Sequence, residues 1–122
     1  MDQAKAAIQK CVKHNIMTTS SFIIGMPTET EQDLEDTIRM YEILTGYAEN
    51  VEINGFFLYA PYPGVPLYDE ALRHGYKKMN SIEEWCEWSY NDSTNNVWIS
   101  EKRLRELETL SILVRFKYLI HR

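Results

Sequence analysis

The sequence is poor in cysteine, in positive charge and in long apolar segments, and each shortage excludes a class of protein. Its two cysteines, Cys11 and Cys86, form no CxxC or CxxxCxxC spacing, so no cysteine-based metal site is predicted. No apolar run approaches the roughly 20 residues of a membrane span. The net charge of −5 argues against nucleic acid as a partner. With no secretory pattern at the amino terminus, we expect a cytosolic chain without disulfides.

The apolar pattern of the first half predicts alternating helices and strands. We expect helices over 2–14 and from about 28–30 to 46, and strands over 16–24 and 51–59. This order, with short links, is typical of a parallel α/β sheet. The second half predicts two short helices, over 67–73 and from Ser81, an extended piece over 97–99 and a long helix after Ser100.

Proline is scarce, with four residues in all, and three of them fall in one loop. Pro61, Pro63 and Pro66 predict a rigid loop at the end of the second strand, because each removes a backbone donor and fixes φ. Pro27 ends the first strand for the same reason, two residues after Gly25. Ligand sites of α/β proteins lie where parallel strands end, so these two turns are the candidate site.

Strand alternation assigns the residues before the first turn to two faces. Ser21, Ile23 and Gly25 share one face, and Phe22 and Ile24 share the other. Two strand–helix units are too few to close a barrel or cover a sheet. We therefore expect part of a larger α/β domain, whose isolated form exposes a strand edge and self-associates.

Three segments in order resemble the radical S-adenosylmethionine superfamily: SFIIGMPTETE at 21–31, YAPYPGVPLY at 59–68 and IEEW at 82–85. The likeness is strongest to members associated with a cobalamin-binding domain, such as the anaerobic Mg-protoporphyrin IX monomethyl ester oxidative cyclases. It implies the carboxyl-terminal portion of a partial (βα)6 TIM-like barrel followed by helices. Residues 1–78 would be the last two βα units, and 79–122 a helical extension.

The resemblance also implies cofactors that this chain cannot hold alone. Members of the superfamily bind a 4Fe–4S cluster on a CxxxCxxC loop and cleave S-adenosylmethionine reductively, giving a 5′-deoxyadenosyl radical that abstracts hydrogen from a substrate. The loop is absent from these 122 residues. The cluster and S-adenosylmethionine would therefore belong to a longer iron–sulfur oxidoreductase, and we expect the chain alone to bind neither and to be inactive.

The superfamily's Gly-x-Ile-x-Gly pattern matches here at Ile23 and Gly25, with Ser21 in place of the first glycine. By that resemblance, Ile23 forms an apolar wall against adenine and Gly25 lets the backbone approach the ring. An acidic residue three positions after that glycine is usual, but Thr28 stands there and Glu29 follows it. The alternative is a purely structural role, in which Ile23 packs in the barrel core and Gly25 serves only to form the turn.

At the end of the second strand the resemblance places Tyr59, Ala60 and Pro61 beside the adenine, and Tyr62 in the substrate cavity. Tyr62 packed on the barrel rim is the alternative. No residue is assigned a catalytic or metal-binding role. The expected partners are the rest of the parent barrel and a small-molecule substrate. The competing hypothesis is a freestanding α/β interaction module that dimerises through its terminal helix.

Overall fold

The computed structural model describes residues 2–90 and 92–120, and in this part the helices and strands alternate as the sequence predicts. Both strands are slightly shorter than expected, because Ile16, Met17 and Tyr59 lie outside them. The elements are α1 (Asp2–Lys13), β1 (Thr18–Ile24), α2 (Glu31–Leu44), β2 (Val51–Leu58), α3 (Pro66–Arg73), α4 (Ile82–Glu87), a 3₁₀ turn (Ser93–Asn95) and α5 (Glu101–Ile120).

The two strands pair in parallel, which confirms the α/β class. Thr18 lies opposite Val51, and the register shifts after Ser20 because Asn54 is an extra residue in β2. Gly55 follows this bulge with φ +115°, and a Cβ there would lie 3.3 Å from Cγ of Arg115. Glycine therefore lets α5 approach the strand closely. The described residues form a mixed α/β arrangement around this two-stranded sheet, and the partial barrel stays a prediction.

One face of the sheet packs against α2 around three aromatic rings. The ring of Phe56 lies 5.4 Å from that of Phe22 and 5.3 Å from that of Tyr41, both nearly edge to face. Such pairs add stability beyond the burial of their area. The buried members of this core are Ile24, Leu34, Met40, Tyr41, Leu44, Ile53, Phe56, Leu107 and Val114.

Helix α5 packs along β2 and contributes polar contacts as well as apolar ones. The Ser111 hydroxyl donates to the carbonyl oxygen of Phe56 at 2.6 Å, and the Arg115 guanidinium lies 4.9 Å from the ring centre of Phe57. The same helix leaves Ile112, Leu113 and Phe116 more than half exposed. The apolar stripe of α5 is therefore wider than the core that it covers.

A second core lies beyond the ends of the strands and is rich in aromatic side chains. The rings of Tyr68 and Tyr76 lie 6.0 Å apart, as do those of Tyr59 and Trp98. Tyr62, from the proline-rich loop, lies 5.1 Å from Trp88. This aromatic cluster joins the loop, α3 and the region around α4 into one packed unit.

The segment before α5 differs from the prediction. A turn and a bend lie at 97–99, so the prediction of an extended piece there is wrong. Cys86 is exposed, and Cys11 is partly buried. Among the described residues, no helix has the length and apolarity needed to cross a membrane.

Candidate functional site

The turn after β1 is closed by a carboxylate. Gly25 adopts φ +77°, and its backbone N–H donates to Oε2 of Glu29 at 2.8 Å. The backbone N–H of Glu29 donates in turn to the carbonyl oxygen of Met26 at 3.1 Å. Thr30 and Asp33 then form a capping box that starts α2. These contacts fix the direction in which the chain leaves the strand.

A short stretch before α5 bridges the carboxyl ends of both strands. In this bridging segment (residues 96–99), the Asn96 side-chain amide donates to the carbonyl oxygen of Tyr59 at 2.8 Å. The Trp98 indole N–H donates to the carbonyl oxygen of Gly25 at 3.0 Å. Asn96 is only 3% exposed. The two strand-end carbonyls are thus satisfied by one segment that follows much later in the chain.

Beside this bridge lies an open cleft of about 630 Å³. Ile23 lines it and is 53% exposed, whereas the next residue, Ile24, is fully buried. The alternation predicted for β1 is therefore confirmed. The remaining lining of this strand-end cleft is Phe57, Leu58, Tyr59, Ala60, Tyr62, Val65, Tyr90, Glu108, Ser111, Ile112 and Arg115.

The lining of the strand-end cleft is mainly apolar. Its walls are aliphatic and aromatic, with Glu108 and Arg115 as its charged groups. Burial, followed by the neighbouring Tyr76, raises the pKa of Tyr59, so its phenol stays protonated at neutral pH. No group of three or more metal-ligating side chains occurs within the described residues.

The structure brings together four of the six residues that the sequence nominates. Ile23, Tyr59, Ala60 and Tyr62 all line the strand-end cleft. Pro61 is buried and lies outside that lining. Their roles toward a cofactor or a substrate stay predictions.

Gly25, the sixth residue, also lies outside the cleft lining. It is covered by the bridging segment, since a Cβ there would lie 3.1 Å from Cδ1 of Ile99 and 3.2 Å from Cδ2 of Leu58. In this arrangement the glycine makes room for side chains of the same chain.

The sequence analysis predicts no contact between Glu29 and the turn after β1, but the Glu29 carboxylate accepts the hydrogen bond from the turn glycine. Oε1 of Glu29 is enclosed without a hydrogen-bond partner among the described residues. Burial raises the pKa of this carboxyl, while the Gly25 N–H and Arg103 act against the shift. The signal in the sequence is a carboxylate four residues after a turn glycine, a spacing that allows the side chain to fold back on the turn.

Comparison with known proteins identifies several relatives that share one name. No family model matches the chain, and no solved structure does. A tRNA-2-methylthio-N(6)-dimethylallyladenosine synthase of Thermus thermophilus is 31% identical over 113 residues, which cover 88% of this chain and 21% of the relative. Synthases of the same name from Buchnera aphidicola and Alkalilimnicola ehrlichii are 38% and 40% identical over 68 and 57 residues, or 54% and 47% of this chain.

The chain spans only about a fifth, or less, of the length of these relatives: 21%, 14% and 12%. It is therefore similar to one segment of a longer enzyme. The sequence motifs most resemble the cyclases and the cobalamin-binding branch, but the similarity to these relatives does not support either assignment. It does support the radical S-adenosylmethionine superfamily.

Proposed function

We propose that the chain is the carboxyl-terminal segment of the catalytic domain of a longer radical S-adenosylmethionine enzyme. Residues 1–78 would supply the last two βα units of a partial barrel, and residues 79–122 a helical extension. The exposure of Ile23 in the strand-end cleft carries this proposal. Ile23 lies among other apolar side chains of the cleft, and a contiguous apolar surface of this kind commonly serves a ligand or another part of the protein.

In the proposed enzyme this chain contributes to binding, orienting and shielding the cofactor and the substrate. Ile23 and Ala60 present apolar surface to the adenine of S-adenosylmethionine, and Tyr59 forms the adjoining wall. Tyr62, half exposed and resting on Trp88, forms part of the substrate wall. When bound, the cofactor and its iron–sulfur cluster supply the reductive cleavage and hydrogen abstraction characteristic of the superfamily. The apolar lining fits the adenine, and the cysteines of the chain do not fit the cluster.

The name of the relatives extends the proposal to a reaction. We propose that the whole protein modifies dimethylallyladenosine in tRNA with a methylthio group, as that name states for the relatives. The charge of −5 on this segment favours RNA contacts elsewhere in the protein. Within this segment, the strand-end cleft would serve the cofactor and the reacting group.

The test uses the full-length protein that contains this segment, purified and reconstituted with iron and sulfide without oxygen. We expect release of 5′-deoxyadenosine from S-adenosylmethionine and the appearance of the methylthio nucleoside in tRNA, both followed by mass spectrometry. Formation of 5′-deoxyadenosine without the nucleoside would retain the superfamily and overturn the tRNA reaction. If a protein that carries a full cluster forms neither product, the proposal is overturned.

The second candidate is a freestanding interaction module that dimerises through α5. The exposed side chains of Ile112, Leu113 and Phe116 favour it. An isolated open reading frame of this length would support the module, whereas a longer frame carrying CxxxCxxC upstream would support the enzyme.

A further inference from the structure

One arginine differs from the others in the part of the chain that the structure describes. Arg115 forms no ion pair there, whereas each of the other four described arginines does: Arg39, Arg73, Arg103 and Arg105. It lines the strand-end cleft. A guanidinium is always charged and carries five N–H donors in a fixed plane, so an arginine without an acidic neighbour is suited to bind an anion.

The fold holds the Arg115 side chain against β2. A Cβ on Gly55, after the bulge, would lie 3.3 Å from Cγ of Arg115 and 3.8 Å from its Nε, so the stem runs directly over the glycine. The guanidinium lies 4.9 Å from the ring centre of Phe57. One turn earlier in α5, the bond from Ser111 to the carbonyl oxygen of Phe56 fixes the helix against the strand. A side chain held in this way loses little freedom when a ligand binds.

The strand-end cleft has a second charged group, of opposite sign. Glu108 lines it, is partly buried and forms no ion pair among the described residues. It lies two helical turns before Arg115, so both residues are on the same face of α5, about 10 Å apart along the helix axis. The rest of the lining is mainly apolar. A complementary ligand has a hydrogen-bond donor at one end, an aromatic or apolar body, and an anionic group at the other end.

We propose that Arg115 binds the phosphate, and Glu108 the exocyclic amino group, of an adenosine nucleotide whose base lies in the strand-end cleft. This inference rests on the proposed function, since the proposed substrate is an adenosine in tRNA. A dimethylallyl group on N6 leaves one N–H on that nitrogen, so the carboxylate of Glu108 still has a donor to accept from. The guanidinium matches the geometry of a phosphate and pairs with it through two parallel N–H donors.

The substrate suits this side of the cleft better than the cofactor does. The adenine of S-adenosylmethionine is assigned to Ile23 and Ala60 at the strand ends, whereas Glu108 and Arg115 belong to α5. S-adenosylmethionine also has no phosphate. The net charge of −5 is unfavourable for an extended RNA contact, but a single phosphate needs only one cation. We therefore expect this segment to hold the reacting nucleotide, and the other RNA contacts to lie elsewhere in the protein.

The test is a titration of the 122-residue chain with adenosine 5′-monophosphate and, separately, with adenosine, followed by NMR chemical shifts. We expect the monophosphate to bind about tenfold more tightly, because the two ligands differ only in the group that reaches Arg115. Arg115→Gln should remove this advantage and change the affinity for adenosine by less than about twofold. Arg105→Gln is the matched control, because it removes the same charge from an exposed site on α5 outside the cleft lining. It should retain the advantage.

Inosine 5′-monophosphate tests the other end of the site. It has a carbonyl oxygen in place of the amino group of adenine, so it should bind the unmodified chain about tenfold more weakly than adenosine 5′-monophosphate does. Glu108→Gln should reduce this difference to less than about threefold, because an amide can donate to the carbonyl as well as accept from an amino group.

Equal affinities of the unmodified chain for adenosine and its monophosphate, or no binding of either, would overturn the phosphate site whether or not any variant folds. An equal loss in Arg105→Gln and Arg115→Gln would show a general effect of charge and would also overturn it. Equal binding of the adenosine and inosine monophosphates would overturn the role of Glu108. These measurements do not involve the reaction. A full-length protein that forms no methylthio nucleoside would overturn the proposed function, whereas a failure of the phosphate site alone would leave that function standing.

Discussion

The buried Asn96 side-chain amide donates to the carbonyl oxygen of Tyr59 across a separation of 37 residues. This bond joins the segment before α5 to the end of β2, beside the residues that line the strand-end cleft. Because Trp98 makes the equivalent bond to Gly25 at the end of β1, the position of both strand ends depends on the bridging segment.

Replacing Asn96 with alanine should destabilise the chain by about 1–3 kcal/mol, because a buried carbonyl loses its partner. Asn54→Ala is the matched control, since Asn54 is exposed and its side-chain contact to Ser21 is long, at 3.5 Å. It should change the free energy of unfolding by less than about 0.5 kcal/mol. Urea denaturation of both variants measures the difference, and equal values would show that the bridge contributes little.

Gly25→Ala should destabilise more than Gly64→Ala. Both glycines have positive φ, +77° and +88°, so both substitutions carry a backbone cost of about 1–2 kcal/mol. Only the Cβ at Gly25 meets neighbours, Ile99 and Leu58, whereas nothing lies within 4 Å at Gly64. Thermal unfolding compares the two variants. If Gly64→Ala is as damaging as Gly25→Ala, the close packing of the bridging segment on the turn is wrong.

The stability of the chain should depend on the titration of Glu29. Burial is the main cause that raises the pKa of Glu29, so the folded state binds its proton more tightly than the unfolded state does. The contribution of this proton is complete below the ordinary glutamate pKa and is lost as the pH rises through the raised value. The stability of the unmodified chain relative to Glu29→Gln should therefore fall as the pH rises from the ordinary glutamate pKa through the raised one.

Asp33→Asn is the control of opposite sign. Hydrogen bonds from the Thr30 side chain and backbone lower the pKa of Asp33, so its contribution is present above the ordinary aspartate pKa and is lost as the pH falls through the lowered value. Denaturation at several pH values should give opposite slopes for the two variants. The same slope for both would contradict the assignment of Glu29 as a carboxyl that is stabilised in its protonated form.

The isolated chain should self-associate through α5. Leu113 and Phe116 are 60% and 59% exposed, and a patch of this kind on a helix commonly finds a partner. The double change to serine at these positions should shift the species toward monomer in light scattering at micromolar concentration. Ile82→Ser, at an exposed site on α4, should leave the association unchanged. A monomeric unmodified chain would contradict the prediction.

The local pattern of the sequence predicts most of the elements and the two faces of β1. Ile23 and Ile24 are chemically identical neighbours, and strand alternation alone assigns them to opposite faces. The family resemblance, not the alternation, predicts that Ile23 is the one that faces a ligand. The capping box at Thr30 likewise depends on residues only three positions apart. Such features can be predicted because they depend on residues that are close together in the sequence.

What the sequence does not predict depends on distant partners. The turn at 97–98 replaces the expected extended piece because Trp98 bonds to Gly25, 73 residues earlier. Glu29 looks like one more acidic residue at a helix start until its side chain is seen to fold back on Gly25. No periodicity in the chain encodes either contact.

The account depends most directly on the side chain of Ile23 packing against S-adenosylmethionine. In the reconstituted full-length protein, Ile23→Asp should weaken cofactor binding at least tenfold, because a carboxylate in an apolar wall loses its hydration on binding. Ile24→Val, on the opposite face, should leave the affinity unchanged and reduce stability by about 0.5–1.5 kcal/mol. Equilibrium dialysis of S-adenosylmethionine against both folded variants makes the comparison. Equal affinities would contradict the assignment of the strand-end cleft to the cofactor.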